Sequence, residues 1–237
     1  MDFYQTPMHP CGYLPNRYSI NIFADPNSEI STQTYSWLID YGFRRNGNHL
    51  YRPQCPECSA CVPTRVYVEE FKPSRSQKRC LRLNQDLELC EVENEFKQEH
   101  FDLYTKYLQS RHNDGPMSQS TRKDYEEFIL GTWSETTLLE FRLDKKLISV
   151  AVFDTLPQGL SAVYTFFDNE YEKRSLGTLA ILQLVQLTKE LKLPYLYLGY
   201  WIKESQKMSY KVNFKPVEGY SNRQWQKLVL EKDKEKS

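Results

Sequence analysis

Residues 160–180 read LSAVYTFFDNEYEKRSLGTLA and decide the fold. The stretch from Leu160 to Phe167 is rich in aromatic residues and bounded by turn residues, which predicts a strand. Alternation along the strand is expected to place Leu160, Ala162, Tyr164 and Phe166 on one face, with Asp168 continuing that face at its end. After a short polar loop, Arg174–Ala180 opens a helix. A helix start carries unpaired backbone N–H groups and the positive end of the helix dipole. The stretch therefore predicts an anion-binding point just after a strand.

The elements around this stretch define the C-terminal half of the chain. Thr137–Leu143 and Leu147–Asp154 precede it at hairpin spacing and are predicted to be strands. The helix is expected to continue to Leu191, and Tyr195–Tyr200 (YLYLGY) is the next strand. A short basic helix or loop, Lys203–Phe214, follows. This order predicts an α+β fold with a mixed, mostly antiparallel sheet and flanking helices.

The N-terminal half contains shorter elements. Strands are predicted at Tyr18–Phe23, Leu50–Arg52, Val62–Val68 and Leu87–Val92, and helices at Ser31–Tyr41, Glu95–Arg111 and Thr121–Gly131. We therefore divide the chain into an N-terminal lobe at 1–94, connecting helices at 95–131 and a C-terminal lobe at 132–237. The last residues, 231–237, are charged and lack apolar side chains, so we expect a frayed tail.

The composition is that of an ordinary globular protein. The 237 residues are 40% hydrophobic and 26% charged, and Lys plus Arg equals Asp plus Glu at 31 each. Overall charge therefore indicates no partner, so only local charge can do so. No apolar run approaches the roughly 18–20 residues of a membrane span, and no signal peptide is recognisable. We expect a cytoplasmic protein with no membrane partner, whose six cysteines are thiols or metal ligands.

Three of the cysteines are closely spaced in Cys55-Pro-Glu-Cys58-Ser-Ala-Cys61. Two overlapping Cys-x-x-Cys steps bring three thiolates within reach of one metal centre. Cys11 or His49 is a candidate for the fourth ligand. The pattern predicts either a Zn or Fe–S site or a turn of partly buried free thiols.

Two further stretches carry local charge suited to a site. Residues 71–82, FKPSRSQKRCLR, have five positive charges and no acid. Such a run suits phosphate or carboxylate binding, although a solvated helix face has the same pattern. His112, in the sequence RHNDGPM at 111–117, is a candidate base near neutral pH or a cap at a helix end.

Two family resemblances follow from these residues. The pattern Arg174-x-x-Gly177-x-x-Ala180 resembles the cofactor-phosphate loop of GCN5-type acyltransferases, Arg/Gln-x-x-Gly-x-Gly/Ala, with the second small residue displaced. From residue 11 to about 219, the chain also resembles the aminoacyl-tRNA–protein transferase family. The matching stretches are CGYLP at 11–15, YRPQCPECSACVP at 51–63, FKPSRSQKR at 71–79, RHNDGPM at 111–117, SAVYTFFD at 161–168, KRSLGT at 173–178 and YLYLGYWI at 195–202.

The second resemblance implies a reaction and its partners. The short length and the cysteine spacing are similar to the bacterial branch, which transfers leucine. The eukaryotic branch transfers arginine and opens with Cys-Gly-Tyr-Cys, where this chain has Leu14. Membership would imply two GCN5-like (GNAT-type) acyltransferase lobes, Leu-tRNA as the donor, and proteins or peptides with N-terminal Asp or Glu as acceptors. The N-degron (N-end rule) pathway then degrades the product, and the aminolysis itself requires no cofactor.

The candidate site residues divide by role in this reaction. Asp168 is the first candidate for the base, with Tyr164 assisting and His112 next in order. Donor and tRNA contacts are assigned to Arg174, Ser175, Gly177 and Thr178 at the helix start, to Tyr200 and Trp201 for base stacking, and to Lys203, Lys207 and Lys211 for phosphates. The acceptor's carboxylate is assigned to Arg75, Lys78 and Arg79. The metal candidates are Cys11, Cys55, Cys58 and Cys61.

Three alternatives remain open at this point. Arginine is an alternative to leucine as the transferred residue, because no sequence pattern identifies the side-chain pocket. An acyl-CoA-dependent N-acetyltransferase would share the C-terminal strand and helix order, although the displaced small residue argues against it. A metal-stabilised RNA-binding module would share the cysteines and the basic run, and would bind without turnover.

Overall fold

The structure is a computed structural model that describes residues 1–111 and 120–228, except for the side chain of Arg111. Its strands are β1 Phe3–Gln5, β2 His9–Pro10, β3 Tyr18–Ser19, β4 Asn21–Ala24, β5 Arg44–Asn46, β6 His49–Pro53, β7 Val62–Tyr67, β8 Glu88–Val92, β9 Thr136–Leu143, β10 Lys146–Leu156, β11 Gly159–Phe167, β12 Tyr195–Trp201, β13 Val217–Ser221 and β14 Gln224–Lys227. Its α-helices are α1 Thr32–Asp40, α2 Arg75–Leu83, α3 Gln98–Arg111, α4 Arg122–Ile129 and α5 Leu176–Glu190. Short 3₁₀ segments lie at Val68–Glu70, Asn169–Arg174 and Ser209–Asn213. Among these helices, none has both the length and the apolar character needed to span a bilayer.

The larger sheet has the strand order β14-β13-β7-β12-β11-β10-β9-β8. Its neighbouring strands are antiparallel except β11 and β12, which are parallel and are joined by the crossover helix α5. The predicted mixed, mostly antiparallel sheet is therefore confirmed. Both β7 and β8 come from the first 94 residues, so one sheet takes strands from both sides of the predicted boundary at residue 94. The three-part division of the chain stays a prediction, and the predicted frayed tail lies outside the described residues.

Helices cover both faces of the larger sheet. On one face, Leu179 and Leu184 of α5 are buried in a core shared with sheet residues such as Leu160. Their helical spacing is what the sequence predicted for this amphipathic helix. On the other face, Tyr104 of α3 and Tyr125 of α4 are fully buried against the sheet. The sheet therefore lies between two helical layers, each with its own apolar core.

A smaller sheet, in the order β1-β4-β6-β5, packs with α1 against one end of the larger sheet. The α1 helix begins after the predicted cap, Ser31, whose hydroxyl accepts a hydrogen bond from the Thr34 amide. A buried ion pair joins the two sheets, because Arg45 Nε on β5 lies 2.7 Å from Asp154 Oδ2 on β10. Both of these side chains are fully buried.

The parallel strands β11 and β12 separate towards their C-terminal ends. Their pairing is confined to Gly159–Ser161 opposite Tyr195–Tyr197. Beyond that point each strand has an irregularity: Val163 is the extra residue where β11 pairs with β10, and Leu198 where β12 pairs with β7. Such bulges bend a strand and increase its twist. The result is an opening at the carboxyl ends of two parallel strands, where ligands bind in many α/β folds.

The bulge at Val163 also corrects one sequence expectation. The sequence predicted that Leu160, Ala162, Tyr164 and Phe166 share a face. Instead, Leu160 lies in the core beneath α5, whereas Phe166 lies in the core beneath α3 and α4. One extra residue transfers the following side chains to the opposite face of the sheet, because side chains alternate along a strand. The expectation of one continuous face is therefore wrong.

Candidate active site at the strand opening

Arg44, on β5 of the smaller sheet, extends into the opening between β11 and β12. Its Nη2 donates hydrogen bonds to the carbonyl oxygens of Ala162 at 2.6 Å and Val163 at 3.2 Å. These carbonyls lie beyond the last residue pair between β11 and β12. The guanidinium therefore donates to backbone acceptors that β12 does not pair with. Arg44 thus links the smaller sheet to the place where the larger sheet opens.

Gly199 on β12 makes room for this guanidinium. Its φ is +76°, in the region that favours glycine, and a Cβ built there would lie 2.1 to 2.3 Å from Nη1, Cζ and Nε of Arg44. The Gly199 carbonyl accepts a hydrogen bond from Thr64 Oγ1 at 2.7 Å. A glycine at this position is therefore required both by the backbone conformation and by the close approach of Arg44.

Aromatic residues surround Arg44. Tyr51 lies opposite it in the β5–β6 register, so the two side chains share a face of the smaller sheet. The Tyr200 hydroxyl donates to the carbonyls of Gly42 at 2.8 Å and Tyr51 at 3.1 Å, and the Tyr51 and Tyr200 rings are 5.9 Å apart. Burial raises the pKa of Tyr200 well above its usual value. These phenols stay protonated at neutral pH and form a rigid wall.

Lys211 is a second basic residue in this region and is only 5% exposed. Its Nζ donates to the Tyr200 carbonyl at 2.5 Å and lies 3.5 Å from Met208 Sδ. Burial, together with the charge of Arg44, lowers the pKa of Lys211 well below its usual value. Among the described residues, no carboxylate lies within ion-pair distance of Arg44 or Lys211.

Asp168, the predicted base, lies at the C-terminal end of β11 and faces α3. Lys106 Nζ is 2.9 Å from its Oδ1, Lys146 Nζ is 3.5 Å from its Oδ2, and its Oδ1 accepts from the Glu170 amide at 3.1 Å. Burial raises its pKa, but the Lys106 hydrogen bond, the Glu170 amide and the Lys146 charge together hold that pKa below the usual range. The carboxylate is therefore already paired within the protein. Its role as a base stays a prediction.

The predicted helix start, Arg174–Thr178, follows this carboxylate along the chain. One of its side chains, that of Arg174, is already in an ion pair. Arg174 forms a two-point ion pair with Asp86, in which Nη1–Oδ1 and Nη2–Oδ2 are both 2.8 Å. Ser175 is exposed and has a left-handed φ of +56°. A Cβ at Gly177 would meet only a ring carbon of Phe167, at 3.5 Å, which leaves space for a ligand near this backbone. Thr178 follows in the first turn, and its amide already donates to the Ser175 carbonyl at 2.9 Å.

The basic run forms α2, which lies along one side of the opening. Gln77 Nε2 donates to the Asn213 carbonyl at 3.1 Å, and Asn84 Nδ2 donates to the Arg174 carbonyl at 2.9 Å. The helix therefore bridges the start of α5 and the segment after β12. Its basic side chains are exposed and have no ion-pair partner among the described residues: Arg75, Lys78, Arg79 and Arg82.

The remaining predicted residues are distributed unevenly around the opening. Tyr200 is only 3% exposed and hydrogen-bonded, so it has no free face for base stacking, and Lys211 is too buried to meet a phosphate at the surface. Both assignments stay predictions, and this burial argues against them. Trp201 is partly exposed at the end of β12, and Lys203 and Lys207 are exposed in the loop that follows. Tyr164 lies in the core beneath α4, with its ring 5.1 Å from that of Phe128, and His112 lies outside the described residues.

The predicted metal candidates are brought together. Cys11, Cys55, Cys58 and Cys61 line one small pocket. Burial and the neighbouring thiols raise the pKa of Cys61 to about 12. Within residues 1–111 and 120–228, however, no three His, Cys, Asp or Glu side chains are arranged so that they would hold a metal ion. The thiols are therefore neighbours, although they do not form a coordination shell.

The sequence reasoning missed Arg44 and Gly199, which occupy the centre of the opening. Gly199 offered a signal, because a glycine inside a strand pattern often marks a bulge or the close approach of another group. Arg44 offered none, since its partners are backbone carbonyls more than a hundred residues away in the sequence. The arrangement combines a fixed cation, backbone donors at a helix start and a basic helix, which suits the positioning of anionic substrates.

Comparison with known proteins identifies the group to which this chain is related. Residues 9–79 match the family described as arginine-tRNA-protein transferase, N terminus, and residues 99–221 match its C-terminus counterpart. The chain belongs to the arginine-tRNA-protein transferase family. It is therefore an aminoacyltransferase, and this family membership argues against the acetyltransferase and RNA-binding alternatives.

Relatives within the transferase family are similar over nearly their whole length. A protein of Nitrosococcus oceani named aspartate/glutamate leucyltransferase is 52% identical over 225 residues, covering 94% of both chains. Proteins of the same name from Hahella chejuensis and Pseudomonas aeruginosa are 48% and 43% identical, covering 94% and 97% of this chain and 95% and 97% of theirs. Among solved structures, FemX aligns with a TM-score of 0.48 at 10% identity, over 75% of this chain and 63% of that chain.

Proposed function

We infer that this protein transfers leucine from Leu-tRNA to the N-terminal Asp or Glu of acceptor proteins. The observation that carries this inference is the 52% identity, over 94% of both chains, to a relative named aspartate/glutamate leucyltransferase. Arginine, the alternative donor residue, is disfavoured by the name that these bacterial relatives share. The strand opening supplies a suitable place for the reaction.

The proposed reaction is the aminolysis of an ester. The acceptor's α-amine attacks the carbonyl carbon of the leucyl ester, an amide bond forms, and the tRNA 3′-terminal ribose leaves as the alcohol. The attacking amine has an ordinary pKa near 8, so only roughly a tenth of it is unprotonated at pH 7. Because the ester is already activated, holding the two reactants in the right geometry accounts for much of the rate.

Parts of the site suit the two sides of this reaction. The exposed basic face of α2 and Lys207 suit the phosphates of the tRNA acceptor end. Backbone N–H groups around Gly177, in the first turn of α5, suit the oxyanion of the tetrahedral intermediate. Asp168 and Tyr164 on β11, with His112, remain the sequence-based candidates for proton transfer, but the two lysines beside Asp168 favour a positioning role for that carboxylate.

The two GCN5-like lobes are also a proposal. For the C-terminal lobe, the support is the run of antiparallel strands β9, β10 and β11, then α5, then β12 parallel to β11. For the N-terminal lobe, the support is the smaller sheet with α1. We further propose that the reaction takes place in the cytoplasm, where aminoacyl-tRNA is used, and that it marks acceptors for the N-degron pathway.

A metal centre is a separate proposal. The four clustered thiols, Cys11, Cys55, Cys58 and Cys61, are the donor set that Zn or an Fe–S cluster prefers. A cation would also stabilise the thiolate form, which burial now disfavours at Cys61. Such a centre would hold the loop between β6 and β7 to the N-terminal segment, and the ester aminolysis would not pass through it.

A transfer assay tests the proposed function. The protein is incubated with labelled Leu-tRNA or Arg-tRNA and with peptides that begin with Asp, Glu or Ala but are otherwise identical. We expect label in the Asp and Glu peptides from Leu-tRNA, and far less in the Ala peptide. Transfer from Arg-tRNA at the greater rate would identify arginine as the donor residue. Transfer from neither tRNA would contradict the proposal, and acetyl-CoA would then be the next donor to test.

A further inference from the structure

The two neighbouring arginines on β5 have opposite surroundings. Arg45 makes a fully satisfied pair with Asp154: Nε and Nη2 lie 2.7 and 3.0 Å from its two oxygens, and Nη1 donates to the Gly47 carbonyl. Arg44 has only two backbone carbonyls, and its Nη1 is buried with no hydrogen-bond partner among the described residues. A guanidinium remains charged at any pH at which the protein is folded. Arg44 therefore places an unneutralised charge in the opening.

A second basic group lies beside this charge. Lys211 is buried near Arg44, and its Nζ contacts a carbonyl and a thioether, neither of which carries a negative charge. The Cys61 thiol also lies near Lys211, but burial raises its pKa and so keeps it neutral. A buried Lys211 and a buried, unpaired Arg44 Nη1 without a carboxylate are costly, unless an anion completes the site. Tyr13 and Tyr210, which the Arg44 charge also reaches, are 39% and 43% exposed.

We propose that Arg44, with Lys211 beside it, binds the side-chain carboxylate of the acceptor's N-terminal Asp or Glu and so determines acceptor specificity. This assignment rests on the proposed function and replaces the exposed cations of α2 in that role. The short side chain of Asp or Glu links the carboxylate closely to the α-amine. Holding the carboxylate at Arg44 therefore also fixes the position of the attacking nitrogen.

The magnitudes favour a buried cation over an exposed one for this task. An exposed ion pair contributes typically 0.2–1 kcal/mol, which discriminates Asp from Asn by only about fivefold at most. When the wrong substrate leaves buried polar groups of a site unpaired, the kcat/KM values of the right and wrong substrates can differ by about 10⁴-fold. Arg44 is partly buried and its unpaired Nη1 is fully buried, whereas Arg75, Lys78 and Arg79 are exposed. A tRNA phosphate is the competing ligand, but the exposed α2 face already suits it.

The test compares Arg44→Gln and Arg44→Lys with the wild-type protein and with Arg52→Gln as the matched control. Arg52 lies on the same smaller sheet, but its guanidinium is on the other face, over the Phe43 ring. For each protein, kcat and KM are measured with peptides that begin with Asp and with Asn, and KM is measured separately for Leu-tRNA. A thermal melt shows that each variant is folded.

We expect Arg44→Gln to lower kcat/KM for the Asp peptide by about 10²-fold, as the loss of one partner of a buried charge pair would. The Asn peptide and the KM for Leu-tRNA should change little, so the Asp-to-Asn ratio falls. Arg44→Lys should recover part of that ratio, because it keeps the charge but loses the planar fork. Arg52→Gln should resemble the wild type, and Lys211→Met should reduce the ratio in the same direction.

Two results would overturn this assignment. A folded Arg44→Gln variant with an unchanged Asp-to-Asn ratio would exclude Arg44 from acceptor recognition. An equal loss for both peptides with a raised KM for Leu-tRNA would identify a phosphate contact instead. Both are distinct from failure of the proposed function, in which the wild-type protein itself transfers no leucine.

Discussion

Asp168 shows how far one residue's chemistry depends on its tertiary neighbours. Its position after β11 could be predicted from the sequence, but its partners could not, because Lys106 and Lys146 come from α3 and β10. A carboxylate with two lysines and a lowered pKa is a weak base at neutral pH, since general-base efficiency is greatest when the pKa lies near the working pH. Its contacts are those of a group that holds the segment after β11 in place.

We therefore expect Asp168→Asn to affect stability more than rate. Losing these charge-assisted hydrogen bonds should cost about 1–2 kcal/mol, because both lysines are about half exposed and their charges are screened. That is a fall in Tm of about 3–6 °C for a chain of this size. Leucyl transfer by the folded variant should stay within about tenfold of wild type. A fall of about 10²–10⁴-fold in kcat at an unchanged Tm would instead establish Asp168 as the base.

For other residues too, the position in the site could be predicted from the sequence in some cases and not in others. The four cysteines were grouped by type and spacing, and the structure brings them to one pocket. No sequence pattern marks Arg44. Side-chain alternation along β11 predicted the wrong face for the residues after Val163, because that bulged residue reverses the two faces. Local patterns carry information about spacing, whereas bulges and long-range backbone partners are set by packing.

At the scale of elements, α2 is a helix with one buried side and one unpaired basic side. Replacing Arg75, Lys78 or Arg79 singly by Ala should reduce the slope of log Kd for Leu-tRNA against log salt by about 0.7–0.9. Transfer to Asp and Ala peptides should fall by the same factor, because a phosphate contact does not sense the acceptor. Lys123→Ala on α4, which removes an exposed lysine paired with Glu127, is the control and should leave the slope unchanged. A change in the Asp-to-Ala ratio would mean that α2 reads the acceptor.

The loop between β6 and β7 is the second element with a testable role. We expect protein purified without oxygen to contain Zn or Fe, and Cys58→Ser to lose that metal and to melt at a lower temperature. Cys90→Ser, on the exposed strand β8, is the matched control and should keep the metal. Elemental analysis and a thermal melt provide the two measurements. Metal-free wild-type protein with the same Tm as Cys58→Ser would leave the cluster as plain thiols.

Elements that form locally could be predicted well. The antiparallel strands β9 to β11 and the helix α5 followed from periodicity and turn residues. The predicted strand Tyr18–Phe23 is instead divided between β3 and β4, which belong to different sheets. The uncertain segment Lys203–Phe214 is a loop that ends in a 3₁₀ turn at Ser209–Asn213. Short strands carry too few residues for periodicity to decide their limits.

At the scale of the whole molecule, the Arg45–Asp154 pair joins the two sheets. Thr136 and Tyr35 also donate to Asp154, so its carboxylate is held from several elements. Asp154→Ala would leave Arg45 buried without a counter-charge, which costs about 3–5 kcal/mol. We expect Tm to fall by about 10 °C. Glu126→Ala, which removes an exposed partner of Arg122, is the control and should cost below about 1 kcal/mol; a similar fall in both variants would contradict the linking role.

The order of strands in the larger sheet could not be derived from the sequence. The predicted lobes followed from the order of elements along the chain, and sequential strands are usually neighbours. Here β7 lies between β12 and β13, and β8 lies beside β9 across the connecting helices. Such long-range pairings leave no local pattern, because each strand resembles any other half-buried strand.

The position of β7 has a consequence for biosynthesis. The two strands that pair with β7, β12 and β13, are synthesised long after it. At about 5–20 residues per second, the interval between Tyr67 and Ser221 is on the order of 10–30 s. During that time both edges of β7 are unpaired, and its apolar side chain at Val66 has no core to enter. The first third of the nascent chain therefore cannot complete its part of the larger sheet until β12 and β13 have been made.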